Sequence, residues 1–574
     1  MNYTANITKL PRHFIPTNFE VTNWQSIEPF FKALLDTEIN TTAALQSWMQ
    51  QVSELEAVIN EDACWRQIKM TCNTNDKTLE AAFNYFCTHI QPFIQPYADA
   101  LNKKLVNHHL AATLDTTTYF TYLRSIKKSI DLFREENIPL QAQLAVMQQQ
   151  FGVISGAMMV SIDGQEFTLQ QAAAFLENPD RTIRESVYKK IQERRLQDKD
   201  ALTELFNKLT SIRNEIAANA GFANYTDYRF KELGRFDYTQ QDCYSFHDAV
   251  KQHVVPLVKK IYQKKKLALG VATLRPWDLD ASVAGIAPLH PFANGGELIQ
   301  KTIDCFTKLR PFFGECLAKM NELKHLDVES RMGKAPGGYN CPLPESGAPF
   351  IFMNAAGQMT DVITMVHEGG HAIHSFLAHP LALTGFKEYP MEIAEVASMA
   401  MELFSMEHWD VFFNNTADLI RAKEHQLERV ITLFPWIAII DKFQHWIFNN
   451  QQHTNEQRTQ AWVQILAEFS DGEVDYTGLE NYRSHAWLRQ LHLFEVPFYY
   501  IEYGIAQLGA IGLWQQFKNN QQQALDNYCN ALALGGTATL PVLYNTAGLS
   551  FNFSSATIQS LMQFVQVELD KVSN

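Results

Sequence analysis

A chain of 574 residues, 46% of them hydrophobic, carries ample apolar material for a large core. A formal net charge of −14 argues against a nucleic-acid partner, whose phosphates call for a basic face. Residues 1–11 show no basic n-region or apolar h-region and no run of about 18 apolar residues occurs; the eight cysteines form no CxxC pair. A cytoplasmic chain with reduced thiols, no membrane span and no cysteine-ligated zinc is expected.

Residues 1–150 read as amphipathic helices over 27–35, 43–59, 79–94 and 140–151, the last opened by Pro139. Residues 153–169 break that pattern. Met158, Val160 and Ile162 alternate, Asp163-Gly164 signals a tight turn, and Glu166-Phe-Thr-Leu follows. This predicts a β-hairpin, serving as a flap or a connector between lobes. Residues 170–219 return to helix, and the charged stretch 181–199 reads as a solvated face. One helix is expected over 239–263 and an irregular loop over 274–294. The Gly/Pro-dense stretch 333–347 leads into Phe350-Ile-Phe-Met, which predicts a strand.

Next comes His367-Glu-Gly-Gly-His371. On a helix, positions i and i+4 share a face, about 40° apart and roughly 6 Å along the axis. Two imidazoles so placed reach one zinc at about 2.0–2.1 Å. Glu368, about 100° round, touches a metal-bound water without ligating. Thr360 or Asp361 is the expected N-cap, Val362, Met365, Val366 and Ile373 supply an apolar face, and Pro380 stops the run. The helix after Pro390 should bring a third ligand. Glu392, Glu395 and Glu402 share one stripe of it, and spacing does not choose among them. With a peptide substrate, the strand before the motif is expected to hold backbone by β-augmentation at Phe352 and Asn354; an ordinary buried strand is the alternative. Further helix is predicted over 412–448 and 462–469. Near the C-terminal end, Tyr500 and Tyr503 lie three apart on one helix face, so their hydroxyls are candidate oxyanion donors. The alternative makes Tyr499 and Tyr500 amphipathic core aromatics.

The run HEGGHAIH, Glu395 in Ala-Glu-Val-Ala-Ser 24 residues after the second histidine, the lead-ins 349–354 and 361–364, and Phe498-Tyr-Tyr-Ile-Glu-Tyr-Gly together resemble the oligoendopeptidase F / thimet oligopeptidase family of zinc metallopeptidases. Clear motifs span Gly333 to Trp514. The resemblance implies that His367, His371 and Glu395 hold one Zn²⁺, that Glu368 is the general base, and that Glu402 supports the site from behind. Glu392 would face solvent or a helix N-terminus, and His374 would not be a ligand. His492, Tyr500 and Tyr503 would face the metal and bind the tetrahedral intermediate. It further implies a mainly α fold of two helical lobes enclosing a substrate channel, with a small β element beside the motif helix and a minor hairpin. Residues 1–150 would form an N-terminal lobe region and 151–574 the catalytic region. The expected reaction is hydrolysis of short unstructured oligopeptides by zinc-activated water. A peptidyl-dipeptidase of similar architecture is one alternative. A helical binding or scaffold protein with a vestigial zinc site is the alternative from another class.

Overall fold

The computed structural model describes Ala5, Ile7 and residues 9–283, 285–470 and 472–573. The reading of residues 1–11 as free of a leader falls largely outside the described residues. The chain is 70% helical. Helix Thr42–Cys72 is longer than its most periodic stretch because nothing from Asn60 to Cys72 is Gly or Pro. The helix expected over 79–94 is interrupted. Lys77–Tyr85 passes through a wide turn at Phe86–Ile90 into Gln91–Asn107. Pro92 has no N–H to donate there, which loosens the ladder. Pro256 likewise sits where the helix expected over 239–263 divides into Gln240–His253 and Val255–Leu269. Helices Thr116–Leu132, Gly295–Leu309 and Pro311–Glu322 are additions to the sequence reading.

The hairpin is present. Strands β1 (Met159–Ile162) and β2 (Gln165–Thr168) pair antiparallel, with Val160 opposite Phe167. Asp163 and Gly164 both take positive φ, 51° and 80°, as a two-residue turn with the twist of a hairpin requires. The second sheet contains β3 (Leu326–Glu329), β4 (Tyr339–Cys341) and β5 (Phe350–Ala355) in the order β3-β5-β4. β5 is parallel to β3 and antiparallel to β4, so it is the central strand.

This corrects the expectation for Phe352 and Asn354. Both edges of β5 are taken by protein strands, and Phe352 is wholly buried, stacked on Tyr339 with ring centroids 4.8 Å apart. The Asn354 amide donates to Ala335 O and Gly337 O, each at 2.9 Å, and so shapes the loop before β4.

A main apolar core gathers buried residues from Leu132 to Leu569. A separate core gathers buried residues from Ile15 to Ile126, joined from later in the chain by Leu383 and Phe386, with Leu381 packed against it. Ile68 of the long N-terminal helix packs with Leu343, Phe350 and Phe352, which ties the first lobe to the three-stranded sheet. Among the described residues no helix is long and apolar enough to cross a membrane.

Candidate active site

β5 delivers the chain into helix Met359–Ala378, which carries the HExxH motif. Its N-cap is Gln358, just before the expected Thr360 or Asp361. Asp361 lies at the third helical position and accepts from the N–H groups of Ala356 and Gln358, each at 2.8 Å. Val362, Met365, Val366 and Ile373 are fully buried, as the apolar face requires, and the helix ends two residues before Pro380.

The motif helix packs on Met391–Ser405, which in turn packs on Tyr500–Asn519. The first contact depends on Gly370. A Cβ there would stand 2.5 Å from Ala397 O and 2.6 Å from Ser398 Cα, so only glycine lets the backbones approach this closely.

That approach brings Glu395 between the two histidines. Glu395 Oε2 is 3.3 Å from His367 Nε2 and 3.5 Å from His371 Nε2, and a donor atom from each of the three residues lies within 4.8 Å of the others. Ligands about 2.0–2.1 Å from a tetrahedral ion stand about 3.3–3.4 Å apart, so the spacing fits a divalent metal that takes nitrogen and oxygen donors.

His367 and Glu395 are held from behind. His367 Nδ1–H donates to Glu402 Oε1 at 2.7 Å, which turns Nε2 toward Glu395. Glu402 Oε2 accepts from Gln426 Nε2 at 2.7 Å and Arg429 Nη1 at 3.1 Å. The Ser398 hydroxyl donates to Glu395 Oε2 at 3.0 Å, and the Tyr499 hydroxyl donates to Glu395 Oε1. Burial pushes the Glu395 carboxyl up, but His371 and His367 overcome this and hold it well below the usual carboxylate range. Burial alone would lower the His367 imidazole; its contacts with Glu395 and Glu402 reverse that and lift it to about 10. The pocket thus favours a positive charge between these groups. Glu368 is different. It is buried, its Oε2 has no hydrogen-bond partner among the described residues, and burial raises its pKa.

These groups line a cavity of about 1010 Å³. Residues 337–340 of the β4 segment line it too, and β4 pairs only with β5 among the described residues, which leaves its other edge without a strand partner. The opposite side presents His492, Tyr499 and Tyr503. Tyr500 is a correction. It does not line the cavity; it lies toward Gln490 and Trp436. Tyr499 already has helical φ/ψ, so Tyr499 and Tyr503, four apart, share the inward side about 40° apart, while Tyr500 lies about 100° round from Tyr499 and about 60° from Tyr503. His492 sits beside Tyr503, with Nε2 3.1 Å from the hydroxyl. Of the two settings expected for Glu392, solvent is excluded: it is buried in the first turn of helix Met391–Ser405 and accepts from the Tyr238 hydroxyl at 2.6 Å. His374 stacks on Tyr389, centroids 3.5 Å apart, as a packing residue.

Residues 174–563 match the model of peptidase family M3, and residues 14–133 match that of the peptidase M3 N-terminal domain. The chain belongs to peptidase family M3. Among its M3 relatives, the oligoendopeptidase F homolog of Lactococcus lactis subsp. lactis is 22% identical over 381 residues, covering 64% of this chain and 60% of that protein. The oligoendopeptidase F homolog of Mycoplasma pneumoniae is 24% identical over 564 residues, covering 89% and 88%. The chain thus spans only about 60% of the length of the Lactococcus relative. A solved structure of PZ peptidase A with an inhibitor superposes with a TM-score of 0.92 at 24% identity, covering 97% of this chain and 99% of that one, so the two share a fold.

Tyr499, Gln426, Arg429 and Gly370 are the site residues that the sequence reading passed over. A hint existed for the first: Tyr499 and Tyr503 are one helical turn apart. Gln426 and Arg429 lie on a separate helix, Thr416–Asn449, and no local pattern ties them to Glu402.

Proposed function

We propose that this chain is a zinc-dependent oligoendopeptidase acting on short unstructured peptides. One observation carries the reading: His367, His371 and Glu395 converge at metal-ligand spacing beside a buried Glu368 whose Oε2 lacks a partner, on the wall of a cavity with a free strand edge. His367, His371 and Glu395 would hold one Zn²⁺, which supplies a water of pKa near 7 and polarises a carbonyl. Glu368 takes the proton of the attacking water and passes it to the leaving amine. The outer edge of β4 replaces β5 as the strand that pairs with substrate backbone.

Tyr503 donates to the carbonyl oxygen as it turns negative. The surrounding hydrogen bonds support this role. Gln490 Oε1 accepts from Trp436 Nε1 at 3.1 Å, so the Gln490 amide N–H donates to His492 Nδ1 at 2.8 Å. His492 then carries its proton on Nε2 and donates to the Tyr503 oxygen, leaving the Tyr503 hydroxyl proton for the substrate. Burial lowers His492 to about 4, so it acts here as a neutral ring. His492 is therefore a positioning residue. Tyr499 keeps Glu395 in place.

The two apolar cores support a division into an N-terminal helical lobe, within residues 1–150, and a catalytic region beyond it. A cavity between them admits an extended chain and excludes a folded domain. The charge of −14 and eight free thiols support a cytoplasmic setting.

The test is cleavage of a quenched-fluorescent peptide of about ten residues, with and without a zinc chelator, beside Glu368→Gln. Cleavage should depend on zinc, and the variant should keep zinc while losing about 10²–10⁴-fold in kcat. A zinc-loaded wild type inert on such peptides overturns the substrate class. An active Glu368→Gln removes Glu368 from the mechanism.

A further inference from the structure

A second group of metal-ligating side chains lies in the main core. Cys243 and His247 are four apart on helix Gln240–His253, and Asp441 and His445 are four apart on helix Thr416–Asn449, which packs against it. Each i, i+4 pair presents both side chains on one face, and the two faces meet. Cys243 and Asp441 are 0% exposed, and His247 and His445 are 2% exposed.

The donor atoms converge. Cys243 Sγ, a carboxylate oxygen of Asp441 and a ring nitrogen of His445 lie within 4.8 Å of one another. His445 Nε2 stands 3.4 Å from Asp441 Oδ2, within the 3.3–3.5 Å range that Glu395 keeps from its two histidines. That is a ligand-to-ligand spacing, longer than a good hydrogen bond. Tyr244 OH is 3.3 Å from His445 Nδ1, which occupies that nitrogen and directs Nε2 inward. Both Asp441 Oδ1 and His445 Nε2 are buried without a hydrogen-bond partner among the described residues. Such atoms are costly in a core unless something accepts them.

We propose that Cys243, Asp441 and His445 hold a second, structural zinc ion that pins these two helices together. His247 supports the site from behind: its Nε2–H donates to Asp441 Oδ2 at 2.8 Å and so orients the carboxylate. Asp441 Oδ1, buried and without a partner among the described residues, is the protein donor left for the fourth position. Charge balances: a thiolate and a carboxylate neutralise a divalent ion, and the neutral imidazole adds nothing, which suits a dry core. Thiolate, imidazole and carboxylate are all established zinc donors. Without an ion, burial and the Asp441 charge hold the Cys243 thiol protonated, its pKa well above the usual range. The spacing of cysteines along the chain gives no sign of this site, because its ligands arrive from two helices distant in sequence. The inference does not depend on the catalytic reading.

Two measurements test it. The His367→Ala/His371→Ala double variant, dialysed against EDTA, should retain one zinc per chain by elemental analysis. Wild type loaded with cobalt(II) during expression should show a near-ultraviolet thiolate-to-cobalt charge-transfer band that Cys243→Ser abolishes. His367, His371 and Glu395 include no sulfur, so that site cannot produce the band. The absence of the band in fully cobalt-loaded wild type overturns the proposal, as does a folded double variant without metal; the four residues are then a hydrogen-bonded core cluster. If the double variant fails to fold, the band decides.

Discussion

Replacing Gly370 with alanine should damage the metal site without touching a ligand. An added Cβ would stand 2.5 Å from Ala397 O and 2.6 Å from Ser398 Cα, against about 3.5 Å for a comfortable contact. Backbone atoms cannot rotate away, so the motif helix and Met391–Ser405 must separate by about 1 Å. Overpacking of this kind costs about 1–3 kcal/mol, and the better helix propensity of alanine returns up to about 1 kcal/mol. The net effect on stability is therefore about 0–3 kcal/mol. Metal binding should also fall. Glu395 rides on the displaced helix, and metal–ligand distances tolerate only about 0.2 Å. A zinc-affinity loss of at least 10–100-fold is expected, the range seen when only an outer partner of a ligand is removed. Gly369→Ala is the control. Its Cβ would meet the ring of Phe306 at 2.7 Å, a side chain that can tilt, so it should cost stability while sparing metal affinity. The assay is competition with a chromophoric chelator beside thermal melts of both variants. Zinc affinity in Gly370→Ala within threefold of wild type, or a greater metal loss in Gly369→Ala, would refute the reasoning.

Glu402→Gln keeps an acceptor for His367 Nδ1 but removes the charge that Arg429 and Gln426 surround. Zinc affinity should fall about 10–100-fold, or about 1.4–2.7 kcal/mol, and unchanged competition curves would show that Glu402 does not tune the site. Tyr503→Phe should retain zinc and leave KM near wild type while kcat falls about 10²–10³-fold; a loss below tenfold would remove Tyr503 as the oxyanion donor. On the N-terminal helix, burial and the nearby Glu388 charge lift Glu56 to about 8. A raised carboxyl favours the protonated folded state, so its contribution is complete below the ordinary carboxylate pKa and is lost as pH rises through about 8. The melting temperature should therefore fall between about pH 5 and 8 in wild type and fall less in Glu56→Gln; parallel profiles would exclude Glu56 as the cause.

The parts legible in the sequence are those that local periodicity governs. Asp163-Gly164 required two positive φ angles and so marked the hairpin, and the apolar face of the motif helix followed from Val362, Met365, Val366 and Ile373. What stayed hidden depends on contacts between distant segments. Phe350-Ile-Phe-Met reads as a strand wherever it sits in a sheet, but only the β3-β5-β4 order shows that both of its edges are taken. Tyr499 and Tyr500 differ by one position, and which of them turns inward depends on how their helix is rotated against Met391–Ser405. Three glutamates share the stripe of Met391–Ser405, yet each meets different partners in the fold. Glu392 bonds Tyr238, Glu395 meets both histidines, and Glu402 holds His367 from behind. Gly369 and Gly370 look interchangeable inside HExxH. One faces an aromatic ring and the other a neighbouring backbone, so the motif's second glycine sets how closely Glu395 can approach.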